Sequence, residues 1–430
     1  MSKSRRVAWA AVAGGVIMAL AVGSGTSFGE SPDADETETS ALSPEYGEVT
    51  VEPEDPNRQY RAMPSLQYVS WDDGGTARHR LVRSFIISAD GVPPVKMRIQ
   101  YQDDSGVWKE AEDARTGAPL MESEDAQNAA VTNVYTAADG NLEAVEVRGR
   151  IDDSGRYFLK WISKDGGVSW APARVDLDFN GGAILDGSAG LAFQDVLTLP
   201  DDTLVMPFYS AHKQVGDQTL YASHLLAGGT DGAAWQRAAT VFQIETVTYN
   251  EATVTRREDG RLIMIARYEE DKNGYHYSKL RARVTNEAVN SAADLANATW
   301  GEIYPVVVPG SADPDVVLGV APILHTMEDG VLMLVYGRPR NKITFSYDGG
   351  ATWITVHSYY DNIPTDCRTG YGGNPCGALG SSGYMGVAVT SPTTAYIMGD
   401  NCQSGWGCAA DYSYPHGVTD LLWQSSVELK

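Results

Sequence analysis

The chain has 430 residues, 43% of them apolar, with 44 Gly and 9% aromatics; that is enough to bury a large core and suits short strands joined by many turns. A formal net charge of −23 and a pI near 4.6 exclude a nucleic-acid partner, which requires a basic face. An acidic balance of this size favours solubility outside the cell.

At the N-terminus, Lys3, Arg5 and Arg6 precede the apolar stretch Val7 to Val22, and Ala21-Val-Gly23 offers small residues for cleavage. Residues 1–29 therefore read as a signal peptide rather than a membrane anchor, because the stretch is short for a spanning helix and rich in Ala and Gly. Ser4-Arg5-Arg6 fits twin-arginine export. The expectation is a secreted, extracellular protein with no stable membrane association after cleavage. Residues 30–57 are acidic and rich in Pro, Ser and Thr, the composition of a disordered linker.

Strand-like runs then recur on either side of a polar turn. The turns are Ala138-Asp-Gly-Asn-Leu142, Pro200-Asp-Asp-Thr-Leu204, Glu258-Asp-Gly-Arg-Leu262, Glu328-Asp-Gly-Val-Leu332 and Ser391-Pro-Thr-Thr-Ala395. Asp-Gly between two such runs is a hairpin signal, and the spacing of roughly 60 residues is that of a repeated supersecondary unit. Two octapeptides punctuate the repeat: Ser163-Lys-Asp-Gly-Gly-Val-Ser-Trp170 and Ser346-Tyr-Asp-Gly-Gly-Ala-Thr-Trp353. In each, the Asp carboxylate can accept hydrogen bonds from the turn backbone, Gly permits positive φ, and Trp packs across the hairpin. Degenerate copies are Asp103-Asp-Ser-Gly-Val-Trp108 and Gly229-Thr-Asp-Gly-Ala-Ala-Trp235. Late in the chain, Cys367, Cys376, Cys402 and Cys408 predict two local disulfides after export, most simply Cys367–Cys376 and Cys402–Cys408. No His lies at ligand spacing around these Cys, and the sequence demands no metal or cofactor.

The octapeptide is the Asp-box, which resembles the blade-rim hairpin of the sialidase superfamily, the BNR-repeat propellers. The implied fold is all-β: a six-bladed β-propeller of sialidase type over residues 58–430, with 58–120 an N-terminal blade or cap and 121–430 five Asp-box-type blades. Propeller ligands sit at the axis, where each innermost strand presents its first residues. Asn250-Glu251 opens one such strand, and Arg267, 16 residues on, ends the antiparallel return. Tyr384, in Ser381-Ser-Gly-Tyr-Met-Gly-Val-Ala-Val389, holds the corresponding start in the last blade. Arg338 and Arg340, in Tyr336-Gly-Arg-Pro-Arg340, could clamp a carboxylate. Asp152 and Asp153 lie in a loop suited to a general acid, and Asp195 is a rival axial carboxylate. Their bland counterparts are a rim salt bridge, a packed aromatic, solvated charges and an ordinary polar turn.

In these positions Asn250-Glu251 and Arg267 resemble the family's Asn-Glu and second binding Arg, Arg340 or Arg338 its third Arg, and Tyr384 its nucleophile. The loop with Asp152 and Asp153 resembles the one that holds its acid/base. The resemblance implies a retaining exo-α-sialidase: Glu251 takes the proton of Tyr384, and a neutral phenol avoids repulsion by the carboxylate on the anomeric carbon. One position departs. The family's first Arg falls in Ala129-Ala-Val-Thr-Asn-Val134, which has none, while Tyr60-Arg-Ala-Met-Pro-Ser-Leu66 carries a similar signature a blade earlier, so that Arg61 is the substitute candidate. That departure keeps two alternatives open: an exo-glycosidase on a neutral sugar, exo-arabinanase-like, with Asp195 and Glu251 as its carboxylates, or a non-catalytic propeller that binds a glycan or a protein. The expected partner is a glycan or oligosaccharide, and the expected state is monomeric.

Overall fold

A computed structural model of the chain describes residues 42–52, 61–87, 96–127, 129–180, 184–185, 190–193, 195–228, 234–272, 275–308, 319–337, 341–360, 383–401 and 421–430. Every strand lies in one compact unit, Ser43–Lys430. The signal peptide, most of the linker, Arg338, Arg340, all four Cys and the turn of the degenerate box at 229–233 fall outside the described residues.

The strands form five sheets built as antiparallel meanders. The first runs through Ala62–Asp72, Ala77–Ile86, Met97–Gln102 and Trp108–Glu110. The largest, of 11 strands, contains two meanders. One runs Tyr135–Thr136, Leu142–Val145, Gly155–Ser163, Ser169–Asp178; the other begins at Leu191–Ala192 and Leu197–Thr198 and continues through Leu204–Val215, Gln218–Gly228 and Trp235–Phe242. A short parallel pairing, Leu177↔Trp235 and Asp178↔Gln236, joins them. Two four-stranded sheets follow, opening with Thr248–Arg256 and Val320–Thr326, and the last sheet opens with Met385–Ser391.

The five expected polar turns all join a first strand to its return. Positive φ appears where the turn needs it, at Gly140 (81°), Asp202 (65°), Gly260 (81°) and Gly330 (71°). Neighbouring meanders pack face to face. Trp161 and Trp170 sit among Val69, Val82 and Ile99 of the first sheet, while Phe158 and Val145 meet Phe208 and Leu226. Tyr249 and Met264 meet Val205 and Leu225, and Ile263 and Ile265 meet Leu334 and Trp353. Leu66 and Phe85 of the first sheet meet Ala388, Met398 and Leu422 of the last, so the packing order returns to its start. Burial of these apolar faces, at about 25 cal/mol per Å², is the main stabilising term.

One sequence expectation is corrected here. Residues 44–51, assigned to the disordered linker, contain two short strands: Pro44–Tyr46 and Thr50–Val51 both pair antiparallel with the C-terminal strand Leu421–Leu429. Unpaired N–H and C=O groups on that edge outweigh the polar composition of the segment, and Tyr46 stacks on His357 with ring centroids 3.9 Å apart. Glu52 then pairs with both Arg61 and Arg83. Among the described residues no helix is long and apolar enough to cross a membrane.

Candidate active site

Three innermost strands each carry a register shift near their start: between Ala62 and Ser65, between Tyr249 and Ala252, and between Val320 and Ile323. A bulge there re-aims side chains that a regular strand would bury between sheets. Glu251 lies in the second bulge. Ala321 lies in the third with φ of 47°, and its backbone N–H donates to Glu251 Oε2 at 3.0 Å. This non-glycine left-handed residue is costly by itself, of order 1 kcal/mol, and is retained where the surrounding contacts determine it.

Around Glu251 the structure assembles a compact polar set. Tyr384 Oη donates to Glu251 Oε1 at 2.6 Å, and Arg267 Nη1 donates to the same oxygen at 3.1 Å. Arg267 Nη2 meets Glu269 Oε1 at 2.5 Å, and its Nε donates to Ser278 Oγ at 3.2 Å. Glu251 and Arg267 are each 4% exposed and Tyr384 is 7% exposed, so the charges act through little water. Phe193 stacks on Tyr384 with centroids 5.6 Å apart and on Tyr209 at 5.7 Å. Burial, and then the nearby Glu251 charge, hold the Tyr209 phenol well above its ordinary pKa. Tyr209 is therefore a neutral wall residue, while the phenol on Glu251 is that of Tyr384.

The other candidates make different contacts. Asp152 ends the strand Arg150–Asp152 and pairs with Arg174, whose hydrogen bond holds the carboxyl below its usual range. That group is ionised at neutral pH, the wrong state for a general acid. Asp153 is an exposed residue of the same turn. Arg61 reaches Glu52 at 3.2 Å, although its neighbours Ala62 and Met63 pack with Tyr384. Asp195 joins Gln67 and His325 in a separate cluster. Ala130, in the stretch that lacks the Arg, packs against the apolar group that contains Tyr384 and Val147.

Three groups escaped the sequence reading. Glu269 was legible in principle, since it stands two residues after Arg267 on one strand and so shares its face. The Ala321 N–H and the ring of Phe193 were not, because only packing between sheets brings them to Glu251 and Tyr384.

The family model for the BNR repeat-like domain matches residues 83–420. The chain belongs to that family. Like its relatives, this BNR repeat-like chain is a sialidase-type β-propeller. A protein of unknown function from Dyadobacter fermentans is 14% identical, with a TM-score of 0.60 over 90% of this chain and 99% of its own. The GH93 α-L-arabinofuranosidase of Fusarium graminearum, in complex with arabinobiose, is 13% identical, with a TM-score of 0.53 over 89% of this chain and 98% of its own. The NanB sialidase of Streptococcus pneumoniae is 11% identical, also at a TM-score of 0.53, over 89% of this chain and 70% of its own. Such low identities show a shared fold. No curated protein matches the BNR repeat-like chain.

Proposed function

We propose that the chain is a secreted, exo-acting glycoside hydrolase on six propeller blades, with Tyr384 as nucleophile and Glu251 as its base. The observation that carries this reading is the 2.6 Å hydrogen bond from the Tyr384 hydroxyl to Glu251, with Arg267 on the same oxygen. Glu251 takes the phenol proton as the Tyr384 oxygen bonds to the anomeric carbon and the glycosidic C–O bond breaks. The leaving oxygen takes a proton from an acid; water then releases the sugar from Tyr384 by the reverse path, with Glu251 returning the proton. For Asp152 to be that acid, substrate must first displace Arg174. The adjacency of Glu251, Arg267 and Tyr384 favours an enzyme over a purely binding propeller. Counting the 11-stranded sheet as two meanders supports the reading of six blades.

Two substrate classes are supported by different observations. A Tyr nucleophile suits an anomeric centre that bears a carboxylate, hence a sialic acid. Ala130, in the stretch that lacks the Arg, and the sharing of Arg267 between Glu251 and Glu269 favour a neutral sugar such as an arabinosyl unit, as in the arabinobiose complex of the structurally similar arabinofuranosidase. Sialyl and arabinosyl chromogenic glycosides separate the two. Tyr384→Phe is expected to lower kcat at least ~10²-fold while the thermal transition is retained; turnover equal to the unmodified enzyme overturns the Tyr mechanism and leaves the carboxylates Glu251 and Asp195.

A further inference from the structure

Glu269 is a second carboxylate on the guanidinium that supports Glu251. It stands two residues after Arg267 on Leu262–Lys272, hence on the same face, and pairs across the sheet with Ser278. Each nitrogen of Arg267 has its own protein acceptor: Nε donates to Ser278 Oγ at 3.2 Å, Nη1 to Glu251 Oε1 at 3.1 Å, and Nη2 to Glu269 Oε1 at 2.5 Å. A bidentate clamp places two N–H groups of one guanidinium on one carboxylate. Here the two terminal nitrogens are divided between two carboxylates that the protein itself supplies.

The charge balance follows from that division. Two ionised carboxylates around one guanidinium leave the trio with an excess of negative charge. The Arg267 side chain is 5% exposed and that of Glu269 is 20% exposed, so Glu269 is the group more open to a ligand. Burial first, and then the charges of Glu251 and Glu269 against that of Arg267, set the pKa of the Tyr209 phenol. The field of both carboxylates therefore reaches the wall on which Phe193 stacks with Tyr209 and Tyr384. Where little water screens it, such a field acts strongly on a second anion.

We propose that Glu269 is the specificity-determining residue of this site. By occupying Arg267 it makes the guanidinium an internal counterion instead of a substrate clamp, and it repels sugars that carry a carboxylate at the anomeric carbon. The substrate class is then a neutral glycosyl unit. Selection of this kind works by rejecting the wrong ligand, not by holding the right one more tightly. The inference deepens the glycosidase reading and rests on the sugar binding beside Tyr384 and Glu251; it does not depend on Tyr384 being the nucleophile.

The test is calorimetric titration of the full chain with L-arabinose and with N-acetylneuraminic acid, each alone at neutral pH, read as the ratio of the two affinities. The unmodified protein is expected to favour arabinose at least ~10-fold; equal affinities or a preference for the acid overturn the proposal without any variant. Glu269→Gln, close in shape but uncharged, is expected to raise the relative affinity for the acid at least ~10-fold. Glu269→Asp, which keeps the charge, is expected to retain the preference for arabinose. A ratio unmoved in Glu269→Gln, or moved equally in Glu269→Asp, overturns the role of Glu269 and leaves the glycosidase reading standing. Binding of neither sugar by any of the three proteins overturns the sugar site itself, and this inference with it.

Discussion

The two Asp-box hairpins and the Tyr384–Glu251 site are built in opposite ways. In the first box Ser163 Oγ donates to Asp165 Oδ1 at 2.8 Å, Gly167 N donates to Ser163 Oγ at 2.8 Å, and Ser169 Oγ donates to Asp165 Oδ2 at 2.6 Å. The second repeats these contacts at 2.8, 2.8 and 2.6 Å through Ser346, Asp348, Gly350 and Thr352. Every bond spans four residues or fewer, so the octapeptide alone specifies the turn. At the proposed active site, by contrast, Tyr384 bonds Glu251 across 133 residues and Ala321 bonds it across 70. A local device can be copied along a chain; a site made of three strand starts exists only once the sheets have packed. Mutations should therefore separate stability from activity by region.

The largest effect is expected at the axis. Glu251→Gln removes the base proposed for Tyr384 and is expected to cut kcat by roughly 10²–10⁴-fold; an unchanged rate on every glycoside that the unmodified protein cleaves breaks the contrast. A smaller effect is tied to acid and comes from the sheets. His224 is fixed between Ser210 Oγ and Thr240 Oγ1, and burial depresses its pKa to about 3. Below about pH 6.5 the unfolded chain binds a proton there that the folded chain refuses, so stability is lost as the pH falls from 6.5 toward 3. The slope is at most about 1.4 kcal/mol per pH unit. His224→Gln is expected to flatten the decline of Tm over that window relative to the unmodified protein, and parallel curves would remove His224 from the account.

The smallest expected effect distinguishes the boxes from each other. Trp170 and Trp353 are both fully buried, but Trp170 Nε1 donates to Gly167 O at 2.9 Å whereas Trp353 Nε1 has no partner among the described residues. Trp170→Phe should therefore cost about 1 kcal/mol more than Trp353→Phe in urea unfolding, with turnover unchanged in both. Equal costs would mean that the boxes are energetic as well as geometric copies.

The hairpin turns, the boxes and the adjacency of Glu251 to Arg267 were legible because each depends on residues close in sequence or joined by one hairpin. The pairing of residues 44–51 with the C-terminal strand was not, because composition reports solvation preference and says nothing of a distant strand edge that needs partners. Asp152 was misleading for a related reason. A polar loop suggests a free acid, but Arg174, from the strand on the other side of Gly155–Ser163, lowers its pKa.

By itself the sequence determined the repeat, since Ser, Asp, Gly and Trp at fixed offsets close their own turns and alternating apolar runs demand sheets. It also placed Glu251 and Tyr384 at strand starts and Arg267 at the end of the antiparallel return. Tertiary structure decided what those starts become. Bulges turn Glu251 and the Ala321 N–H toward one another, and packing between sheets brings Tyr384 onto Glu251 and leaves Asp195 beside His325. Backbone hydrogen bonds are indifferent to which side chain they carry inward, so a site shared among sheets is set by their packing.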